Sequence, residues 1–339
     1  MKISIISFLL FIGITFSVTA QDNSETQSNS TDSQIKQLAD VVSKLPKIGG
    51  LVNTRFQYSD DGIVKNGFDV RRLYLNGTGA ITKEVSYRFQ VDFAGTPKIL
   101  DAYVEWKPSK YIGFQTGQYK VPYTLENPYS PTNLETADNS QVVSALITDN
   151  SSNGRDVGAS LNGSLFFQNG YNIIDYKLGV FNGNSINVTD NNTTKDVVGT
   201  LIVTPLKPLS FAASFYDGKY GPQTTKYKRN RSSYGVKYDD GKLLVRSEYI
   251  KGTTNTTDSY GYYASAAYYA TSKLQPVLKY DYYNSDKSKE SSPSTVYLVG
   301  LNYWFAKISR IQVNYSYKNF KDPSKKDSNY LTTQLLIGF

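Results

Sequence analysis

The nine residues VSYRFQVDF, 85–93, put Val85, Tyr87, Phe89, Val91 and Phe93 at every second position, with Ser86, Arg88, Gln90 and Asp92 between them. Side chains of a β-strand alternate between its faces, so this stretch carries one wholly apolar face and one face with two charges. The pattern repeats in both directions along the chain. LDAYVEWK, 100–107, alternates Leu100, Ala102, Val104 and Trp106 with Asp101, Tyr103, Glu105 and Lys107. RIQVNYSYK, 310–318, does the same with Ile311, Val313, Tyr315 and Tyr317 against Arg310, Gln312, Asn314, Ser316 and Lys318.

Counting such segments from 49–58 to 330–339 predicts sixteen strands. Tight links such as KPSKY, PLKP, YDDG, ATSK and FAKIS follow the even strands, whereas most odd strands are followed by longer polar connections, the longest from Lys120 to Arg155. A soluble sandwich has no use for that alternation. A membrane barrel has short turns on its periplasmic side and long loops outside, with the apolar face toward lipid and the polar face toward a water-filled lumen. Closure leaves no unpaired edge in hydrocarbon. The predicted fold class is therefore all-β, a 16-stranded antiparallel transmembrane barrel over 48–339 with both termini periplasmic. Outward aromatics near strand ends, Phe56 and Tyr58, Phe93, Tyr303 and Phe305, Tyr315 and Tyr317, suit interfacial girdles and account for 29 tyrosines beside 2 tryptophans.

Ahead of the barrel, residues 1–20 read as a signal peptide, with an apolar run closed by Val18-Thr19-Ala20. Residues 21–33 form a polar flexible leader. In 34–47, Ile35, Leu38, Val42 and Leu45 make a two-heptad apolar seam, expected as a short amphipathic helix or a small coiled coil. The terminal strand sets Leu331, Thr333, Leu335, Ile337 and Phe339 on one face, and a chain ending on an aromatic of an alternating strand resembles the signal read by the outer-membrane barrel-assembly machinery.

Cysteine and histidine are absent, which removes thiolate chemistry, the usual general base and the commonest metal ligand. A barrel lipase or protease built on a Ser-His pair is disfavoured, and no enzyme activity, cofactor or nucleic-acid partner is expected. An energised transporter is disfavoured as well, because about 30 residues between signal and barrel are too few for a plug domain. Residues 1–47 hold 4 basic and 4 acidic residues, leaving 33 basic against 25 acidic in the barrel, so the whole excess of +8 lies there. By alternation, Arg55, Arg72, Arg88, Lys107, Lys177, Lys237, Arg246, Lys279, Arg310 and Lys318 should face the lumen, interleaved with Asp92, Asp101, Glu105, Asp175, Glu248 and Asp281. Fixed lumen charge enriches counter-ions and repels co-ions, which favours anions.

Arg71 and Arg72, adjacent in FDVRRLYLNG (68–77), have opposite parity. Arg72 should point inward; Arg71 should lie at the lipid headgroups unless a bulge turns it inward. The run KYGPQTTKYKRNR, 219–231, is expected as an external loop whose Lys219, Lys226, Lys228, Arg229 and Arg231 form an anion-collecting vestibule, fold inward, or contact lipopolysaccharide phosphates.

The runs DVRRLYLNGTG, YRFQVDF, LDAYVEWKP, GFQTGQYKVPYTLEN and RDVGASLNG, in this order within 68–163, resemble the phosphate-selective porin O and P family. The resemblance implies a trimeric, 16-stranded, anion-preferring porin of a Gram-negative outer membrane, passing small anionic solutes by diffusion, with the loop after the fifth strand folded inward as a constriction. It places Arg71, Arg72, Arg88 and Asp101 at the anion site. Lys107, on the charged face of the fourth strand, and Lys120, in the GQYK run that leads into the loop, are expected beside the same pathway. Phosphate-selective relatives carry a lysine and serines after the LE of that loop, where this chain has Asn127-Pro128 after Leu125-Glu126. A pore without anion specificity, or a barrel adhesin working through its loops, fits the residues as the alternative reading.

Overall fold

The computed structural model describes residues 34–35, 45–61, 66–147 and 152–339. The expected signal peptide and leader, and residues 36–44 of the expected helix, lie outside the described residues. The sheet begins at Lys47, the last residue of the segment expected as helix.

Residues 46–339 form one unit, a closed barrel in which each strand pairs antiparallel with its sequence neighbours and the last pairs with the first. The strands are β1 (Lys47–Ser59), β2 (Gly67–Ala80), β3 (Val85–Asp92), β4 (Lys98–Trp106), β5 (Gly113–Lys120), β6 (Arg155–Gln168), β7 (Tyr171–Phe181) and β8 (Asp196–Leu206). They continue as β9 (Leu209–Tyr220), β10 (Tyr227–Asp239), β11 (Leu243–Thr254), β12 (Thr257–Tyr268), β13 (Leu274–Asn284), β14 (Pro293–Ala306), β15 (Ser309–Phe320) and β16 (Ser328–Gly338). The strand number and the alternation of connections are those of the sequence. No described helix is long and apolar enough to cross a membrane, which says nothing about crossing by strands.

Closure rests on β1 and β16, paired from Leu51 with Gly338 to Ser59 with Tyr330. The Phe339 carbonyl accepts a hydrogen bond from the Gly50 amide at 3.0 Å. A Cβ at Gly50 would meet the Tyr74 carbonyl oxygen at 2.6 Å and the Phe339 ring at 2.3 Å, so glycine lets β2 and the terminal aromatic both come this close to β1. Leu335, Ile337 and Phe339 are exposed on the outer face.

Three places depart from the sequence reading. Asn53 pairs with Arg72 and Thr54 with Val70, so Arg71 is the extra residue of a bulge. Phe68 and Val70 before it, and Leu73 and Leu75 after it, are all exposed on the outer face, so the bulge turns both arginines inward while the apolar residues stay outside. In β4, Gln90 pairs with Asp101 and Val91 with Ile99, so the outward place expected for Leu100 goes to Ile99, and Leu100 is buried. The expected external loop 219–231 is mostly sheet: β9 and β10 run on until only residues 221–226 connect them. The extension has a physical cause in Arg229 and Arg231, which read as loop but bond to Asp196 of β8 and to the Thr253 carbonyl of β11. Lys219 and Lys228 stand opposite each other and are exposed.

The hydrophobic core lies inside the barrel, under the long connection 121–154. Its helix α1 (Gln141–Leu146) buries Val142, Val143 and Leu146. These pack with Ile147, Tyr119, Val121, Tyr123, Phe181, Val198, Tyr216, Ile250 and Tyr263. Burying four aliphatic side chains of a loop at about 1.5–3 kcal/mol each outweighs what a six-residue helix lacks in intrinsic stability.

Candidate functional site: the loop-narrowed lumen

The loop crosses the lumen and docks on the wall β11–β15. Glu248 accepts a hydrogen bond from the Leu125 amide and Asp281 one from the Gln141 amide, both at 2.6 Å. In the other direction, loop carboxylates meet wall cations: Glu126 pairs with Lys279 at 3.2 Å and Glu135 with Arg246 at 2.6 Å. Arg310 donates to the carbonyls of Leu134 and Pro131, and Gln312 and Asn302 both donate to that of Glu135. The Arg246 guanidinium lies over the Tyr129 ring at 4.1 Å and that of Arg310 over Trp304 at 4.5 Å. Arg246 and Arg310, 1% and 2% exposed, therefore hold the loop and do not form the open positive wall expected of them.

Two further cations anchor the near end. Lys120, where β5 enters the loop, donates to the carbonyls of Asn127 at 2.6 Å and Tyr129 at 2.7 Å. Arg71 donates to the Ala137 carbonyl at 2.9 Å and pairs with the Asp138 carboxylate. Desolvation raises the Asp138 pKa, but the charges of Arg71 and Arg72 and the hydrogen bond from Arg71 outweigh it and hold the carboxyl below its ordinary value. At the β5 end, Gly117 has φ +128° and a Cβ there would meet the Ala102 carbonyl at 2.2 Å, so only glycine permits that close approach of β5 to β4.

Between the loop and the wall β2–β9 lies a cavity of about 790 Å³. Arg72, Arg88, Lys107, Lys120, Arg155 and Lys177 line it against Asp101, Glu105 and Asp175, six cations against three carboxylates. At its centre Asp101 accepts from Arg155 Nε at 2.7 Å and from Arg88 Nε at 3.1 Å, while Arg88 also donates to Gln90 at 2.6 Å. One carboxylate thus holds two guanidinium groups in place and leaves the trio with a net positive charge. Arg72 is 9% exposed and its Nη1 makes no hydrogen bond. Facing these cations, the loop presents Pro122, Leu125, Pro128, Tyr129, Pro131 and Leu134, interspersed with the polar Thr124, Ser130, Asn139 and Asn153.

Of the residues expected at an anion pathway, Arg72, Arg88, Asp101, Lys107 and Lys120 line this cavity; Arg71 does not, being engaged by the loop. Sequence reading missed Arg155. Its signal was present, since Arg155 opens RDVGASLNG and pairs across strands with Lys120. The expected vestibule is not assembled. Arg229 is buried against Asp196 at 2.7 Å, and Arg231 donates to the Thr253 carbonyl at 2.7 Å, which makes both part of the wall. Lys226 stands in the short connection, half-buried. Among the described residues no cluster of carboxylates could hold a metal ion.

Among solved structures, the barrel is similar to an anion-selective porin from Comamonas acidovorans, with a TM-score of 0.66 and 15% identity over 87% of this chain and 99% of that one. It is similar also to the outer-membrane channel DcaP of Acinetobacter baumannii, with a TM-score of 0.62 and 13% identity over 87% and 97% of the two chains. For Salmonella typhi OmpF the TM-score is 0.64, with 11% identity over 88% and 99%. At such identities the likeness concerns the fold. No curated protein matches by sequence. The family model described as phosphate-selective porin O and P matches residues 52–242, more than half of the chain, and with the closed 16-stranded barrel it identifies the chain as a member of that family of Gram-negative outer-membrane channels.

Proposed function

We propose that the protein is a passive diffusion porin that prefers small anions, selected in the cavity beneath the constriction loop. The observation that carries this is the lining itself, six cations against three carboxylates, with two of the cations fixed by one shared aspartate. In a water-filled passage narrowed by a loop, a fixed positive wall raises the local concentration of anions and repels cations, most strongly at low salt. Arg72, Arg88 and Arg155 carry most of the selectivity, with Lys107 and Lys177 extending the positive lining. The chain performs no covalent chemistry in this reading.

The decisive measurement is the reversal potential of the purified protein in a planar bilayer under a KCl gradient. An anion-selective sign is expected; a cation-selective sign, or no unitary conductance, removes the proposal. Assembly as a homotrimer accompanies this reading, supported by one similar structure described as the trimer form of OmpT from Vibrio cholerae. Chemical cross-linking in native membranes should then give a ladder ending at three copies. We propose further that the signal is cleaved after Ala20, that the terminal strand ending in Phe339 is recognised by the barrel-assembly machinery, and that the exposed Lys219 and Lys228 contact lipopolysaccharide phosphates. Mass spectrometry of the mature chain tests the first.

A further inference from the structure

The two ends of the barrel carry charge differently. At the end of the short turns, which faces the periplasm, six of the seven turns bear an exposed lysine: Lys83, Lys110, Lys207, Lys242, Lys273 and Lys307. The acids in the same turns are Glu84 and Asp240, and Asp240 is engaged by its own turn, accepting from the Lys242 and Leu243 amides at 2.8 and 2.7 Å. Among the described residues none of the six lysines forms an ion pair. The connections at the other end hold 8 basic and 11 acidic residues, and there Lys195, Lys289 and Lys325 pair with Asp190, Asp286 and Asp322. A rim of uncompensated like charge repels itself and is complementary to anions outside the chain.

The depth of the lysines points to what those anions are. Four of the turns set an exposed apolar side chain beside their lysine: Ile81, Tyr111, Leu206 and Ile308. The Lys110 ammonium lies over the exposed Phe167 ring at 3.5 Å and the Tyr111 ring at 5.3 Å, and that of Lys242 over the exposed Tyr268 ring at 5.4 Å. The charges are thus held at the border of the outward aromatic girdle, the level of lipid phosphates, with their stems against apolar surface. A polymer of the periplasm would meet the turn tips and leave these apolar side chains in water. Three of the lysines also come together: Lys242, Lys273 and Lys307, from successive turns, line a cleft of about 740 Å³ with Thr271, Ser272 and Phe305.

We infer that the periplasmic rim is a docking surface for anionic phospholipids of the inner leaflet, with the cleft between Lys242, Lys273 and Lys307 as its strongest site. The phosphate diester accepts from the ammonium groups, and the acyl chains lie along the outward apolar face above them. Every lysine near such a headgroup adds to retention, and the effect fades with salt. The inference goes beyond anion passage and is independent of which ions the lumen carries.

The test is native mass spectrometry of the intact protein from detergent micelles holding equal amounts of phosphatidylglycerol and phosphatidylethanolamine with identical acyl chains. Phosphatidylglycerol adducts should exceed the others about fivefold or more, the factor that one lysine near an anionic headgroup supplies. The variant K242Q/K273Q/K307Q should bring that ratio toward one. The variant K287Q/K289Q/K325Q, which removes as much charge from the external end, should leave it unchanged. Equal adducts of the two lipids on the wild-type protein overturn the inference, as does an equal loss in both triple variants. Equal adducts together with lysine-dependent co-sedimentation on purified peptidoglycan overturn it in favour of the cell wall as the partner. If the first triple variant forms no barrel, the single variants K242Q, K273Q and K307Q should each lower the ratio, and no change in any of them overturns the placement.

Discussion

The two sides of the lumen are built from the same residue types and put them to different uses. On β11–β15, Arg246, Lys279 and Arg310 point inward and are covered by the loop, paired with Glu135 and Glu126 or bonded to loop carbonyls. On β2–β7, Arg72, Arg88, Arg155 and Lys177 also point inward, but the loop stands away from them and encloses a cavity. Inward cations on the first side fasten the constriction; on the second, Arg71 and Lys120 hold the near end of the loop while Arg72, Arg88, Arg155 and Lys177 face what passes it. A lumen charge count therefore overstates the selectivity that charges can supply.

Breaking the fastening should have the largest effect. Replacing Glu126 and Glu135 together by glutamine leaves Lys279 and Arg246 as buried cations without their carboxylates, which costs about 3–5 kcal/mol for each buried pair broken. The loop should leave the wall, and single-channel conductance should rise about twofold or more, since the constriction sets the resistance of the pore. Limited proteolysis within 121–154 should become rapid at the same time. Unchanged conductance and unchanged cleavage would sink the anchoring role.

The contrast between the sides sharpens with matched single changes. Arg155→Gln and Arg88→Gln should each move the reversal potential clearly toward that of a non-selective pore, because each removes charge from the open cavity and leaves Asp101 less compensated. Arg246→Gln, the same change on the other side, should move it little while lowering thermal stability. A reversal potential that responds equally to both changes would dissolve the distinction.

Smaller effects separate the adjacent arginines. Arg72→Ala should lower anion preference more than Arg71→Ala, because Arg71 is already neutralised by Asp138 and does not line the cavity. Equal shifts would mean that the pairing does not persist in the open pore. The smallest effect concerns pH. Because Asp138 is held below the ordinary carboxylate value, its ion pair with Arg71 stays intact as pH falls through that range and is lost only below it. The Asp138 carboxylate is 55% exposed, so solvent screening limits the pair to about 1 kcal/mol at most; anion preference should gain slightly at strongly acidic pH, and Asp138→Asn should show that gain already at neutral pH. A variant with unchanged selectivity at neutral pH would show that Arg71 contributes nothing even when freed.

Much of the barrel was legible in the chain because the relevant signal is local. The period of two in residues such as Val85 to Phe93 needs no knowledge of partners, and neither do short links such as PLKP. Inward positions followed too, which is how Arg72, Arg88, Asp101 and Lys107 were found. Reading failed where a strand's state depends on its neighbour. KYGPQTTKYKRNR looked like a loop because its charges suggested solvent, whereas Arg229 and Arg231 have partners in Asp196 and Thr253, distant in sequence. Inward apolar residues on strands, Val198 and Ile250 among them, were the overlooked trace of the loop's docking site, since a lumen holding only water has no use for them.

What the sequence determined by itself was the sheet: strand number, the side of most strand residues, the alternation of connections and the surplus of positive charge. These follow from the geometry of a single strand and from hydrogen-bond closure in a membrane. Only the tertiary structure decided which inward cations face the cavity, because that depends on the path of one loop across the lumen and on contacts between residues more than a hundred positions apart. It decided the two arginines of β2 as well. The bulge that turns Arg71 inward exists through the register of β2 against β1, and the carboxylate that neutralises it comes from the loop. Neither partner is within reach of any local pattern, so parity alone left Arg71 undecided.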